Sequence, residues 1–222
     1  MSRLVVFDVD STLLSVESLD FAVEIALKAA EDGAERTQQL KDLTDRGMAG
    51  ALDFRTSLEQ RIAIAGLNRD SVETAREALR QHLTPGMAEL IGQLKKRKTQ
   101  IAAVSGGFID LIEAVLNDLG LEAGDIRANK FVFTDDSVTG FDRDNPLSRS
   151  GGKSQVVKAL KTVSNARLAV MVGDGMTDFE AFAEGGADSF IGFGGVKERP
   201  SVRAKAPAYA SSVDELKALL LA

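Results

Sequence analysis

The sequence predicts an α/β fold in which a parallel sheet is covered by helices on both faces. Apolar runs of strand length lie at 3–7, 100–104, 168–172 and 187–191. Helical patterns separate these runs, and strands that alternate with helices pair in parallel. The last three runs lead into glycine-rich turns. We therefore expect a Rossmann-like core whose functional site lies at the carboxyl ends of its strands.

The helices and a hairpin are predicted from apolar periodicity and turn residues. In residues 108–119, apolar side chains recur on one face of a helix. A second helix is expected over 85–97, with Thr84 as N-cap and Pro85 at the first helical position. Residues 131–141, "FVFTDDSVTGF", differ because two β-rich arms flank a polar turn. That pattern predicts a β-hairpin.

A long segment interrupts the alternation of strands and helices. Residues 13–84 contain no clear strand and their patterns indicate four helices. Before the last of these, Asp70 and Glu73 resemble a capping box. Such a segment is long for a plain connection, and it leaves the core beside the predicted site. We expect an α/β catalytic core of residues 1–12 and 85–222, and a helical cap domain of residues 13–84 that acts as a lid.

Composition narrows the classes of function. The chain has no Cys and one His, which excludes disulfides, cysteine nucleophiles and multi-histidine metal sites. A net charge of −6 without a basic block argues against a nucleic-acid partner. No apolar run approaches the roughly 20 residues of a membrane helix, and the opening "MSRLVV" is too short for a signal peptide. We expect a cytoplasmic protein without a membrane partner, in which carboxylates perform acid–base chemistry.

The stretch "LVVFDVDSTLL" places two carboxylates, Asp8 and Asp10, directly after an apolar run. A calcium loop is excluded because Leu13 stands where Gly is needed and Leu19 where Glu is needed. A surface turn remains compatible with these few residues taken alone. As a chemical site, the pair suits attack on phosphorus by one carboxylate while the other handles the proton.

A second acidic motif, "VMVGDGMTDFE", follows a later strand. It carries Asp174 and, four residues on, Asp178. An anionic nucleophile that approaches a phosphate needs a cation, and Mg²⁺ is held by one or two carboxylates together with phosphate oxygens and water. In isolation, a turn residue and a helix N-cap explain these aspartates equally well. Their pairing with Asp8 and Asp10 at another strand end favours a magnesium site.

Two further glycine-containing motifs suit phosphate binding. In "AVSGGF", Ser105 offers a hydroxyl, and Gly106 and Gly107 offer backbone N–H groups, although an N-cap serine followed by turn glycines has the same pattern. The motif "SGGKSQ" is not a nucleotide-binding P-loop, because Leu147 stands at the position of the first glycine and no strand precedes it. Lys153 at a helix start opposes the helix dipole, which indicates an anionic partner.

These four motifs, in this order, resemble the haloacid dehalogenase superfamily. Within it, "FDVDSTL", "HLTPGMAELI", "SGGKSQVVKAL", "GDGMTD" and "DSFIGFGG" are similar to the family that hydrolyses L-phosphoserine to L-serine and phosphate in serine biosynthesis. The resemblance implies a Mg²⁺-dependent phosphatase that forms an aspartyl-phosphate on a small-molecule substrate. The alternatives are a phosphatase or phosphotransferase acting on another small phosphomonoester, and a receiver-type phospho-aspartate switch. A second carboxylate argues against the switch, because a nearby base shortens the life of the intermediate.

The resemblance also implies the chemical roles of the acidic residues. Asp8 is expected to be the nucleophile and a Mg²⁺ ligand. Asp10 is expected to be the general acid and base, and to give its backbone carbonyl to Mg²⁺. Asp174 is expected to bind Mg²⁺ directly, with Asp178 supporting the ion from behind.

The remaining roles concern the substrate. The phosphoryl group is expected to lie against Ser105, Gly106 and Lys153. The resemblance places Glu17 at the substrate ammonium and Arg61 at its carboxylate, although spacing alone leaves both on a solvated helix face. It implies four further substrate contacts, Met48, Phe54, Thr177 and Arg199. Thr177 departs from many members of the family, which have Asn there. We expect a monomer or homodimer.

Overall fold

The computed structural model of the protein describes residues 2–28, 30–48 and 52–222, without the side chains of residues 45, 47 and 48. Its strands are, in chain order, β1 (Arg3–Phe7), β2 (Gln100–Phe108), β3 (Ile126–Asn129), β4 (Phe131–Thr134), β5 (Ser137–Phe141), β6 (Leu168–Gly173), β7 (Ser189–Phe193) and β8 (Ala208–Ala210). Its α-helices are α1 (Ser18–Leu27), α2 (Gly33–Met48), α3 (Phe54–Ala65), α4 (Arg69–Leu79), α5 (Met87–Lys96), α6 (Ile109–Asp118), α7 (Gly152–Val163), α8 (Met176–Ala183), α9 (Pro200–Lys205) and α10 (Val213–Leu221). Within the described ranges, none of these helices has the length and apolar character needed to cross a membrane.

The strands place β1 at the centre of the sheet. Among the described residues, six parallel strands form one sheet in the order β3-β2-β1-β6-β7-β8, and β4 pairs with β5 in a separate antiparallel hairpin. In the sheet, Val6 lies between Ala102 of β2 and Met171 of β6. The chain order changes direction at β1, and in open α/β sheets the crevice at such a point binds ligands. The predicted α/β fold with a Rossmann-like parallel sheet is confirmed.

Alternate residues of β1 enter apolar layers on opposite faces of the sheet. Val5 and Phe7 pack in the layer that contains α5, α6 and α10. Leu4 and Val6 pack against α7 and α8. Because side chains alternate across a strand, a sheet that is buried on both faces requires an unbroken apolar run. This requirement accounts for the absence of a polar residue in "LVVF".

The helices α1 to α4 lie between β1 and α5 in the chain. The two connecting segments pair where the chain leaves the sheet and where it returns. The Ser15 N–H donates to the carbonyl of His82, and the Thr84 N–H donates to the carbonyl of Leu13, both at 2.8 Å. Helix α4 also packs on α6. The four predicted helices are therefore joined to the sheet directly after the β1 carboxylates.

Two predicted helix caps are wrong. Helix α4 is capped by Asn68 rather than by Asp70: Asn68 accepts from the Ser71 N–H at 2.8 Å, and the Ser71 hydroxyl oxygen accepts from the Asn68 N–H at 2.9 Å. The same reciprocal arrangement thus forms with Ser in place of Glu. Helix α5 begins after Gly86, whose φ is 88°, because the Thr84 backbone is paired with the outgoing segment.

Four strand assignments also changed. Strand β2 continues to Phe108, four residues beyond its predicted end at residue 104, so residues 105–107 belong to the strand and not to a helix start. Strands β3 and β8 were not predicted, because with four and three residues they are too short to show an apolar period. The last predicted run, 187–191, is displaced to β7. There the Asp188 side chain accepts a hydrogen bond from the Ala169 N–H at 2.7 Å, which keeps Asp188 in the preceding turn.

Candidate active site

The carboxyl ends of β1, β2 and β6 bring the predicted motifs together. Asp8 follows β1, Asp174 follows β6, residues 105–107 lie at the end of β2, and Lys153 lies in the first turn of α7. Adjacent parallel strands end at the same edge of a sheet, so these side chains converge. They line one cavity of about 460 Å³. The structure therefore joins the four motifs into a single site.

Lys153 lies between two buried carboxylates. Its Nζ atom donates to Oδ1 of Asp8 at 2.7 Å and to Oδ1 of Asp178 at 2.5 Å. Burial by itself lowers the pKa of Lys153, but Asp178 and Asp8 raise it above its usual value. The amine is therefore charged, and it neutralises the negative charge that the strand ends concentrate.

Asp8 is held at the tip of β1 by the sheet itself. Its backbone N–H donates to the carbonyl of Val172 at 2.8 Å, which continues the pairing with β6 by one residue. Burial raises the pKa of Asp8 to about 6; Asp178 adds to the rise and Lys153 opposes it. The carboxyl is mainly ionised at neutral pH, as a nucleophile must be.

Asp10 is set apart from Asp8 by a sharp turn. Residues 9–13 form a tight turn that the Leu14 N–H closes by donating to the carbonyl of Val9 at 2.8 Å, and within it Ser11 has a positive φ of 52°. Oδ1 of Asp10 accepts a hydrogen bond from the Ser18 N–H, at the start of α1, at 3.0 Å. Burial, then Glu17 and Asp8, raise the pKa of Asp10 well above its usual value. These neighbours favour the protonated carboxyl, which suits a general acid.

Asp174 and Glu17 are joined by Arg199. Nε of Arg199 donates to Oδ2 of Asp174 at 2.7 Å, and its Nη2 lies 3.5 Å from Oε1 of Glu17. The Ser11 hydroxyl donates to the same oxygen of Glu17 at 2.8 Å. Burial, then Asp8, raise the pKa of Asp174 to about 8, while Arg199 opposes the rise. Arg199 therefore lies near the site, as expected, with two acidic partners.

Asp178 is fully buried and sits tightly against the β6 turn. Its Oδ2 accepts from the Gly175 N–H at 2.9 Å. A Cβ at position 173 would lie 2.3 Å from its carboxyl carbon, so Gly173 is needed there. Asp8, Asp174 and Asp178 each offer a carboxylate oxygen, and these oxygens lie within 4.8 Å of one another. Oxygen ligands at such spacing suit a hard divalent cation.

The last residues of β2 have the donors for an anion. Ser105 is buried, and its Oγ accepts from the Gly107 N–H at 2.9 Å, which leaves the hydroxyl proton free to donate. Asn129 was missed by the sequence analysis. Its Nδ2 donates to the carbonyls of Gly106 at 2.9 Å and Leu147 at 3.1 Å, and so ties the end of β2 to the segment that precedes α7. The sequence offered no signal for this residue, because the short strand β3 that contains it was not predicted.

Residues from the α1–α4 segment form the other side of the cavity. Glu17, Phe54 and Arg61 line it together with Thr177 from α8. Phe54 lies so close to the end of β2 that a Cβ at Gly106 would be 2.9 Å from its ring. The structure therefore brings these four predicted substrate contacts into the cavity that contains Asp8. It does not decide the position of the Met48 side chain, which lies outside the described residues.

Several cavity residues had no sequence signal. They come from loops and helices around the opening, where exposed polar side chains are common, and they are Asp53, Ser201 and Lys205. Asp20 lies in none of the four motifs, and it accepts a hydrogen bond from Nη2 of Arg61 at 2.6 Å. These residues were not predicted because their position depends on packing between distant elements.

Comparison with known families identifies the class. The haloacid dehalogenase-like hydrolase family matches residues 2–186. The fold and the acidic site agree with that match, because both place the chemistry at the carboxyl ends of a parallel sheet. The chain therefore belongs to the haloacid dehalogenase-like hydrolases.

Comparison with individual relatives assigns the chain to one family within this class. The phosphoserine phosphatase of Homo sapiens is 37% identical over 214 residues, which cover 96% of this chain and 90% of the relative. A phosphoserine phosphohydrolase-like protein from Francisella tularensis has a TM-score of 0.86 at 28% identity, with 99% and 100% of the two chains covered. A phospho-aspartyl intermediate analogue of phosphoserine phosphatase has a TM-score of 0.82 at 29% identity, with 98% of each chain covered. Among these hydrolases, the chain belongs to the phosphoserine phosphatase family.

Proposed function

We propose that this chain hydrolyses O-phospho-L-serine to L-serine and phosphate through an aspartyl-phosphate on Asp8, with Mg²⁺ as its cation. One observation carries the proposal: a single cavity of about 460 Å³ contains Asp8 and Lys153 together with Glu17 and Arg61. The first pair suits phosphoryl transfer, and the second offers an acid for an ammonium group and a guanidinium for a carboxylate. O-phospho-L-serine carries a phosphate, an ammonium group and a carboxylate on a small skeleton.

The acidic residues suit the cation. Asp8 and Asp174 offer carboxylate oxygens close together, and the raised pKa values of both show that buried negative charge is concentrated there. We assign these two side chains and the Asp10 carbonyl to Mg²⁺. Asp178 supports them from behind, because both of its oxygens already accept hydrogen bonds from Lys153 and Gly175. Bound there, Mg²⁺ would neutralise charge on the phosphoryl oxygens.

The residues divide the reaction into two displacements. A carboxylate oxygen of Asp8 attacks phosphorus, the bond from phosphorus to the serine oxygen breaks, and Asp10 gives its proton to that oxygen. Asp10 then takes a proton from water, whose oxygen attacks phosphorus and releases Asp8 and phosphate. The site supplies an acid for the first step because the neighbours of Asp10 raise its pKa. The same group, deprotonated, is the base of the second step.

The phosphoryl group is held by donors that need no rearrangement. We assign this role to the Ser105 hydroxyl, the Gly106 N–H and the Lys153 amine. The Gly107 N–H already directs the Ser105 hydroxyl, and Asn129 holds the neighbouring carbonyl of Gly106. Donors that are oriented before the reaction stabilise transferred charge at no further cost of reorganisation.

The α1–α4 segment recognises the amino acid. We propose that residues 13–84 form a cap domain, and that Glu17 and Arg61 bind the substrate ammonium and carboxylate. Phe54 and Thr177 complete the wall of the cavity. Met48 and Arg199 are kept as further substrate contacts; for Arg199 the support is its place between Asp174 and Glu17. We place the reaction in the cytoplasm, as part of serine formation.

The test is phosphate release with Mg²⁺ over a panel of small phosphomonoesters, with Asp8→Asn as the blank. The panel contains O-phospho-L-serine, phosphoethanolamine, phosphohomoserine, a sugar phosphate and an aryl phosphate. A strong preference for O-phospho-L-serine is expected. Activity centred on another phosphomonoester would overturn the substrate, and transfer of phosphate to an added alcohol would make the enzyme a phosphotransferase.

A further inference from the structure

Asp20 and Arg61 form a nearly buried ion pair beside the cavity. Nη2 of Arg61 lies 2.6 Å from Oδ1 of Asp20, and their side chains are 10% and 14% exposed. The Thr44 hydroxyl donates to the same oxygen of Asp20 at 3.1 Å. Asp20 on α1 thus receives one donor from α2 and one from α3. A charged hydrogen bond of this kind fixes geometry as well as adding energy.

Arg61 keeps most of its donors unused. A guanidinium has five N–H groups, and within the part of the chain that the structure describes it makes a single hydrogen bond, the one to Asp20. Its Nε is buried and has no partner there. A buried donor without a partner is costly, and an anionic ligand bound beside Arg61 would complete it. The residue lines the cavity that holds Asp8, which makes that ligand an anionic group of the substrate.

We propose that Asp20 is a positioning residue that holds the Arg61 guanidinium ready for the carboxylate of a phosphoamino acid. This inference rests on the proposed function, because it needs Arg61 to bind the substrate. An arginine side chain that Asp20 already holds in place loses less conformational entropy when the substrate binds. Asp20 touches no reacting atom, so it acts on recognition and not on the chemical step.

The experiment compares two substrates in the full-length protein with Mg²⁺. O-phospho-L-serine has a carboxylate, whereas phosphoethanolamine has the same phosphate and amine without it. Asp20→Ala is expected to raise KM for O-phospho-L-serine about tenfold, with little change in kcat. A tenfold change corresponds to the loss of one charged hydrogen bond. Kinetics on phosphoethanolamine should stay unchanged. Asp20→Asn keeps an acceptor of the same size, so its KM should lie between the wild type and Asp20→Ala.

Glu24→Ala is the matched control. Glu24 lies on the same helix and pairs with Lys41 of α2 at 2.8 Å, but both side chains are about half exposed. The variant removes an ion pair between α1 and α2 without touching Arg61, and it should leave both substrates unaffected. Thermal unfolding of all variants identifies any loss of folding, and Asp20→Asn provides the test if Asp20→Ala does not fold.

The outcomes separate the two proposals. Equal losses on both substrates would overturn the inference and make Asp20 structural. A lower KM for O-phospho-L-serine would also overturn it, because Asp20 would then compete with the substrate for Arg61. If the wild type itself shows no preference for O-phospho-L-serine over phosphoethanolamine, the proposed function fails and the inference fails with it.

Discussion

Nζ of Lys153 lies 2.7 Å from Oδ1 of Asp8, although 145 positions separate the two residues in the chain. The contact joins the first motif, at the end of β1, to the motif at the start of α7. It also explains how a carboxylate with 7% of its surface exposed stays ionised near neutral pH. A buried charge requires a partner, and here the partner is also the residue that we propose to contact the transferred phosphoryl group.

Asp8→Asn removes the proposed nucleophile and keeps its size. Phosphate release from O-phospho-L-serine is expected to fall to the level without enzyme, because an amide does not form the acyl-phosphate. Lys153 keeps its bond to Asp178, so the fold should persist, and circular dichroism checks this. Retention of most of the activity would contradict covalent catalysis by Asp8.

Asp10→Asn removes the proposed acid and base but leaves Asp8, the proposed nucleophile. The expected loss in kcat is about 10²- to 10⁴-fold, the usual contribution of a positioned acid or base. Because activation of water is lost as well, phosphate should accumulate on the protein. Mass spectrometry after a rapid acid quench measures this, with the wild type as reference. Turnover at the wild-type rate, with no accumulation of the phosphorylated protein, would exclude Asp10 from both steps.

Protein stripped of cations with a chelator should lose stability as the pH rises. The pKa values of Asp8 and Asp174 in the folded protein are about 6 and about 8, above their usual value of 3.8. Between about pH 4 and about pH 8 the folded protein therefore holds more protons than the unfolded chain. The free energy of unfolding is therefore greatest at the acid end of this window, and it falls as each of the two buried carboxyls ionises. The cost of burying these carboxylates is greatest at the alkaline end.

The measurement is Tm in a chelator from about pH 5 to about pH 8. We expect Tm to fall across this range, and to fall less in Asp174→Asn because that side chain does not ionise. Added Mg²⁺ should raise Tm more at the alkaline end, where both carboxylates are charged. A Tm that is independent of pH in the chelator would show that burial does not destabilise these carboxylates.

Gly173→Ala tests the packing of Asp178. The new Cβ would lie 2.3 Å from the Asp178 carboxyl carbon, so this side chain must move away from Lys153. We expect a loss of about 1–3 kcal/mol in the free energy of unfolding, together with reduced activity. Urea denaturation and phosphate release measure the two effects. Gly124→Ala is the control, because a Cβ there meets no atom within 4 Å; equal behaviour of the two variants would contradict the prediction.

Arg61→Ala should raise KM for O-phospho-L-serine about 10- to 100-fold and leave an aryl phosphate nearly unaffected. The reason is that only the first substrate has a carboxylate for the guanidinium. Arg76→Ala on α4 is a suitable control, since Arg76 pairs with Glu73 and Glu113 and does not line the cavity. Equal losses on both substrates would remove Arg61 from substrate recognition.

Helix boundaries show where prediction from the sequence was limited. The existence and type of many elements followed from local patterns, as in the unbroken apolar run of β1 and the apolar period of α6. The start of α5 did not, because Thr84 is drawn into a pairing with Leu13 that no local pattern records. The short strands β3 and β8 are held by their neighbours in the sheet and carry no period of their own.

The sequence by itself determined the α/β alternation and the polar residues at the strand ends. Apolar period and strand-end polarity are local properties, so Asp8, Asp10, Asp174 and Lys153 were found without coordinates. Only the tertiary structure decided which side chains meet across elements. The pair of Asp20 with Arg61 depends on how α1 and α3 pack, and contacts of that kind leave no periodic signal in the chain.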